Sequence, residues 1–575
     1  MTENSSQRSG TEVSSAATTA GSDDIDALAN DFVARLLAIS PMLATEVGRP
    51  GGQDRLDDLS PDGLAAVHEL TRQAETALTG AVPTSRAQEV ARQTMLERLR
   101  LELDRYDTGW AHADLNVLAS PLQMVRMVFD LMPTGTPEER SVFAARMHAV
   151  PGALSGYAQS LRSAAGAGRV AAARQVDKCA EQCSAYAGAK GTGFFTAAVR
   201  ALEPGSAPSQ ELLSAAAAAE AGYGELARFL TEELRPLAPT KDAVGRDRYV
   251  LASREFLGAT VDLEETYDWG WQEFLSIEAE MFEVANRIVP GGTLKQAAEA
   301  LDADQAHVLD GQDALRNWMQ QLSDRALEEL GSTHFDIPEP MRRLECLIAP
   351  PGGALGAYYT SPSDDFSRPG RMWWSVPADR TRFNTWRETS TVYHEGVPGH
   401  HLQLATAVLA KERLNDFQRL LATTSGHAEG WALYAERLVR EVGYLADDGD
   451  LLGMLDAQLF RAARVVLDIG MHLELPIPAG TGFHEGETWT PELGLEFLLA
   501  RTLNDAENSS DEINRYLGWP GQAPAYKVGE RIWIDGRNAA RARHGASFDQ
   551  KAFHSAALNL GNMGLDQLAS ELARL

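Results

Sequence analysis

Only three cysteines occur in 575 residues, which rules out a disulfide framework and points to a reducing compartment. Cys179 and Cys183 stand at i and i+4 of a helical stretch, where a pair of buried thiols is expected, and Cys346 stands alone. No run of about 18 apolar residues appears, so a bilayer-spanning helix is not expected. Met1 to about Ser22 is rich in Ser, Thr, Gly and Ala and lacks the apolar core of an export signal. Residues 1–24 are therefore read as a disordered tail and the location as cytoplasmic. Basic side chains are scarce too: 52 Lys and Arg against 81 Asp and Glu give a net charge of −29. Such a field repels phosphate backbones and anionic lipid, so neither nucleic acid nor a membrane surface is an expected partner.

What is present is mostly helix. From Asp23 to about Pro239, stretches rich in Ala, Leu, Glu and Arg are interrupted at Gly51-Gly52, Pro133-Thr134-Gly135, Pro151-Gly152 and Glu203-Pro204-Gly205. These breaks predict a helical N-terminal lobe over 25–240, with the remaining 241–575 as a second lobe. Tyr267, Trp271, Phe274, Met281, Ala285 and Ile288 keep a helical period until Pro290-Gly291-Gly292 stops it. Ala354–Tyr359 and Arg371–Val376 are short, aromatic-rich and separated by turn residues, which reads as two strands. Trp373 and Trp374 in the second strand are candidates for substrate contact, the alternative being that the aromatic side chains pack into the core.

Tyr393-His394-Glu395-Gly396-Val397-Pro398-Gly399-His400-His401 concentrates chemistry as no other segment does. Two imidazoles and a carboxylate can hold zinc, and a second carboxylate can take a proton from a water beside it. The usual His-Glu-x-x-His helix places its histidines at i and i+4, but here proline occupies position 398. On an undistorted helix His400 would lie about 9 Å along the axis from His394 and about 120° round it, while His401 would share its face about 10.5 Å away. A metal reading thus requires the helix to bulge, and Pro398 between Gly396 and Gly399 supplies the means. A glycine-proline turn with exposed histidines is the competing reading.

The third ligand is sought in the amphipathic stretch Ser425–Arg437. Glu429, Leu433, Glu436 and Arg440 fall along one row of that helix. Glu436 has an i+4 partner in Arg440 and reads as half of a surface ion pair. Glu429 lacks one and is the better ligand, with His427 as an alternative ligand or an orienting donor.

The runs Tyr393–Gln403 and Glu429–Glu436, with a block from Glu512 to Gly529, resemble the bacterial domain-of-unknown-function 885 family. That family is similar to the glutamate-zincin metallopeptidases, which include thermostable carboxypeptidases, oligopeptidases and angiotensin-converting enzyme. The likeness spans most of the chain from about residue 25. It implies a mainly α, large multi-helix zincin-like fold with a deep cleft and a small β-sheet next to the metal-site helix, the lobe 241–575 being metallopeptidase-like. It also implies one Zn2+ per chain on His394, His400 and Glu429, with Glu395 as general base and His401 as the rival second ligand. Manganese or iron would tolerate the same ligand types.

In the C-terminal third, Tyr526 is the first candidate donor to a developing oxyanion, His554 a second, and Arg515 a candidate for a substrate carboxylate. Arg464 and Asp468 are explained as an i, i+4 pair, which leaves His472 as a further candidate. The expected activity is a zinc-dependent hydrolase cleaving short peptides by metal-activated water. A metal-dependent amidase or lyase acting on a non-peptide small molecule, and a non-catalytic binding protein of the same fold, are the alternatives.

Overall fold

The computed structural model describes residues 24–202, 207–349, 356–377 and 379–575. The expected tail, the break at 203–205 and the first two residues of the strand expected from Ala354 lie outside these. The described chain is mainly helical with two small sheets, and none of its helices is long and apolar enough to cross a membrane.

Apolar side chains gather in three cores. The largest takes residues from Tyr249 to Leu572 together with Val90. A second is built from Met42 and residues 115–234. The third joins helices within residues 25–99 to Phe417 and Ala422 far along the chain. Cys179 and Cys183 are buried free thiols in the second core, and burial raises the pKa of both.

One expected break is absent. Pro151 and Gly152 lie inside the helix Pro137–Gly166, which runs on through them. A neighbouring helix presses on that point, since a Cβ on Gly222 would come within 2.9 Å of the Pro151 Cα. Tertiary packing has overridden the local cost of the proline.

The helix Leu263–Ile288, which carries the period from Tyr267, lies along the long helix Asp448–Leu473. Strands β1 (Val308–Asp310) and β5 (Arg382–Asn384) form an antiparallel ribbon, and β5 leads directly into the motif helix Thr385–Glu395. The other sheet places β4 (Gly370–Ser375) between β2 (Leu344–Ile348) and β3 (Gly356–Thr360). The two expected strands, β3 and β4, are present and pair antiparallel, whereas the parallel partner β2 was not foreseen. The pleat sends adjacent side chains to opposite faces. Met372 and Trp374 join the main core, while Trp373 stacks on the exposed Tyr358 across the strands at 6.0 Å.

Candidate metal centre

The motif helix ends at Glu395, and a new helix, His400–Leu409, begins four residues beyond Gly396. The chain therefore does not bulge within one helix as the sequence suggested. It stops and restarts. Gly399 is required there, because a Cβ would stand 1.8 Å from the His394 carbonyl oxygen. The indole of Trp431 donates to the carbonyls of Pro398 and Gly399 at 2.8 and 3.2 Å, satisfying backbone groups that the break exposes.

The break turns His400 back towards His394. Their rings lie 4.7 Å apart and nearly perpendicular. The helix Ser425–Glu441 brings Glu429 to the same point, with its Oε2 3.1 Å from His394 Nε2 and 3.5 Å from His400 Nε2. One ligand atom from each of the three residues lies within 4.8 Å of the others. A tetrahedral ion with bonds of about 2.0–2.2 Å wants donors about 3.3–3.6 Å apart, and two histidines with one carboxylate is a donor set for zinc that leaves a position open. The residues present fit such an ion.

The other nitrogen of His394 is also committed. Its Nδ1 lies 2.7 Å from Glu436 Oε1, and Glu436 is fully buried. This corrects the reading of Glu436 as a surface partner of Arg440, which instead pairs with Glu280. Glu436 also accepts from Ser390 Oγ at 3.0 Å and Gln458 Nε2 at 3.2 Å, while Gln458 Oε1 accepts from Lys527 Nζ at 2.9 Å. Lys527 in turn pairs with Glu273 and Glu530. A carboxylate behind a ligating imidazole fixes its tautomer and raises its basicity.

Electrostatics agree with that arrangement. Burial opposes a charge on His394, but Glu429 and Glu436 outweigh it and push its pKa up to about 10. Burial likewise works against ionised Glu429, yet His400 and His394 hold it well below the usual carboxylate range. Glu395 is 5% exposed, its Oε2 has no hydrogen-bond partner, and burial raises its pKa against the partial offset of His400 and His394. A desolvated carboxylate with an idle oxygen suits a general base.

Several expected residues go elsewhere. His401 points away from the centre, with Nδ1 2.8 Å from Tyr359 Oη and Nε2 2.7 Å from the Met341 carbonyl, so it is not the second ligand. His427 stacks on Trp533 and lies beside Gln403, and burial lowers its pKa to about 4. His554 lies in an aromatic cluster with Phe335 and Trp431, its Nε2 2.7 Å from Tyr434 Oη, and the residue is 1% exposed. Trp374 is core, its indole donating to Glu388, while Trp373 lies on the opposite face of the sheet, itself buried against Tyr358.

Tyr526 is the second residue of the helix Ala525–His544, which lies on the Glu429 helix so closely that a Cβ on Gly430 would come within 2.4 Å of the Gly529 carbonyl carbon. Its hydroxyl accepts from Arg515 at 3.1 Å, and Arg464 lies over its ring. Arg515 also bonds Glu512 and Gln522, so its guanidinium is already engaged. Arg464 pairs with Glu512, not Asp468. Asp468 accepts from Tyr249 and the Gly521 amide instead, and His472 bonds the Tyr516 carbonyl. A second cluster of His307, Asp447 and Asp450 has similar spacing, but Asp447 is the N-cap of the long helix and Asp450 accepts from Thr389.

Two solved structures share this architecture across nearly their whole length. A Colwellia psychrerythraea protein described as a "putative lipoprotein" superposes with a TM-score of 0.80 at 21% identity, over 96% of this chain and 98% of its own. A Shewanella oneidensis "putative lipoprotein of unknown function" gives 0.68 at 15% identity, over 95% and 99%. No curated protein matches. The family model for bacterial proteins of unknown function DUF885 matches residues 41–572, and the chain belongs to that family.

Proposed function

We propose that this protein is a zinc-dependent hydrolase that cleaves short peptides, with His394, His400 and Glu429 as ligands and Glu395 as general base, on a zincin-like plan. The observation that carries the reading is the convergence of three ligand atoms within 4.8 Å beside a buried carboxylate oxygen that has no partner. A divalent ion held there would polarise a carbonyl and acidify a water. Glu395 takes the proton of the attacking water and returns it to the leaving amine, which its raised pKa favours. Glu436 keeps His394 Nε2 directed at the centre by holding Nδ1. Tyr526 is the candidate donor to the oxyanion in this reading, and Trp373 the candidate for substrate contact. A cytoplasmic setting accords with three free cysteines.

Metal content and turnover test the reading together. The native protein is expected to carry one equivalent of zinc, His394→Ala none, and Glu395→Gln one equivalent with turnover of a short-peptide library abolished. Absence of zinc from native protein after zinc is offered, or undiminished turnover in Glu395→Gln, defeats the proposal.

A further inference from the structure

The long helix Asp448–Leu473 turns Gln458 towards the metal centre, where its amide bonds Glu436. Arg461 follows three residues later, on the same side of the helix. Its charge lies within electrostatic reach of Glu436 above all, and of Glu395 and Asp456. Even so, it forms no ion pair with a carboxylate among the described residues, and its buried Nε has no hydrogen-bond partner.

The missing ion pair sets it apart from its neighbours. Arg464 pairs with Glu512, Arg437 with Glu273 and Glu530, Arg440 with Glu280, Arg387 with Asp302 and Arg501 with Glu278. In a chain with 81 acidic residues to 52 basic ones, a half-buried arginine that makes no direct ion pair and lies one turn from Gln458, which bonds Glu436, keeps donors free for an anion that arrives with the substrate. A guanidinium is suited to this because its planar fork matches a carboxylate with two parallel bonds. The obvious alternative partner, Arg515, is occupied by Glu512, Gln522 and Tyr526.

We infer that Arg461 is the recognition residue for a substrate carboxylate next to the scissile bond, so that the hydrolase acts on peptides bearing a free carboxylate there. The inference rests on the hydrolase reading for its setting, but the binding itself is separable from turnover. The carboxylate has two sources: the C-terminus of the peptide, which makes the enzyme trim single residues or split dipeptides, or an acidic side chain flanking the bond.

The test uses the zinc-loaded full chain, with Arg461→Gln as the variant. Its zinc content and melting temperature are compared with the native protein to establish that it folds. Peptides are offered as free acids and as C-terminal amides, and with Asp or Asn beside the cleaved bond. Loss of a charge-assisted bond predicts that Arg461→Gln lowers kcat/KM on the preferred acid by about 10- to 100-fold more than on the matched neutral peptide, whatever loss the two share through the charge on Glu395 and Glu436. A preference for acid over amide identifies the C-terminus, and one for Asp over Asn identifies the side chain. Arg461→Lys is expected to recover part of the loss.

If no peptide is turned over, the hydrolase reading fails, and Arg461 is still tested by calorimetry with N-acetylphenylalanine and its amide on zinc-loaded protein. Tighter binding of the acid that disappears in Arg461→Gln supports the inference. Equal binding of acid and amide by the native protein, or an equal loss for both in the variant, overturns it. If Arg461→Gln does not fold, the acid-against-amide comparison on native protein decides alone.

Discussion

Glu436→Gln removes one charge from the interior while keeping the shape of the side chain. In the native protein Glu436 Oε1 stands 2.7 Å from His394 Nδ1, and Oε2 accepts from Ser390 and Gln458. The glutamine retains one acceptor oxygen but turns an amide NH2 either on the His394 N–H or on the donors of Ser390 and Gln458. One of those contacts must fail. A hydrogen bond to a charged group contributes about 1.5–3 kcal/mol, and loss of the carboxylate behind a ligating histidine weakens metal binding by about 10–100-fold. The two estimates agree, since tenfold is about 1.4 kcal/mol. Zinc affinity is to be measured by competition with a chromophoric chelator at pH 7.5, with Glu429→Gln as the ligand control and melting temperature as the folding control. Unchanged affinity in folded Glu436→Gln would refute the idea that Glu436 orients His394.

Two further perturbations follow from the same structure. His401, His427 and His472 have pKa values lowered to about 4, and His554 to about 3, all by burial in the first place. Between about pH 4 and 6.5 the unfolded chain binds these protons and the folded one does not, so their stabilisation is full above pH 6.5 and is lost as pH falls, at up to about 1.4 kcal/mol per pH unit for each. Asp468 and Glu255, each raised to about 7 by burial, act in the opposite sense and offset part of this. Chemical denaturation of the metal-free protein is expected to show stability falling from pH 6.5 to 4.5, and a flat profile would contradict the neutral-imidazole assignment. Gly430→Ala drives a methyl into the backbone of Gly529. It is expected to cost about 1–3 kcal/mol or more and to weaken zinc binding, because the same helix carries Glu429; an unchanged melting temperature would show that the helices separate freely.

Much of the centre could be read from the residues because proline and glycine at fixed places demand a chain reversal between His394 and His400. Which way the chain reverses was not legible. A bulge and a break both satisfy Pro398, and the choice depends on Trp431 reaching the freed carbonyls from another helix. Glu436 was misread because an i+4 arginine in sequence says nothing about which way a helix faces; its role appears only when the motif helix is laid across it. The signal available was weak but real: the row shared with Glu429, seven residues away. The packing of His554 and Trp374 into the interior was hidden for a related reason. Burial depends on distant partners such as Phe335 and Glu388, and no local spacing encodes them. The helical nature of the chain was legible because it rests on local periodicity, and Pro151 shows the limit of that rule where packing decides.

The smallest of the three cores has a consequence for how the molecule is assembled. Ile25, Phe32, Val33, Leu70 and Met95 close over Phe417 and Ala422, and Arg49 reaches both Asp364 and Asp416. During synthesis the earliest helices therefore emerge with an apolar face whose cover is still to be translated. The loop that eventually joins them is among the longest in the chain, and long-range closure of this kind is slow. A cut at residue 240 would part the helices of residues 25–99 from Phe417 and Ala422, leaving one piece without the floor of that core and the other without its lid.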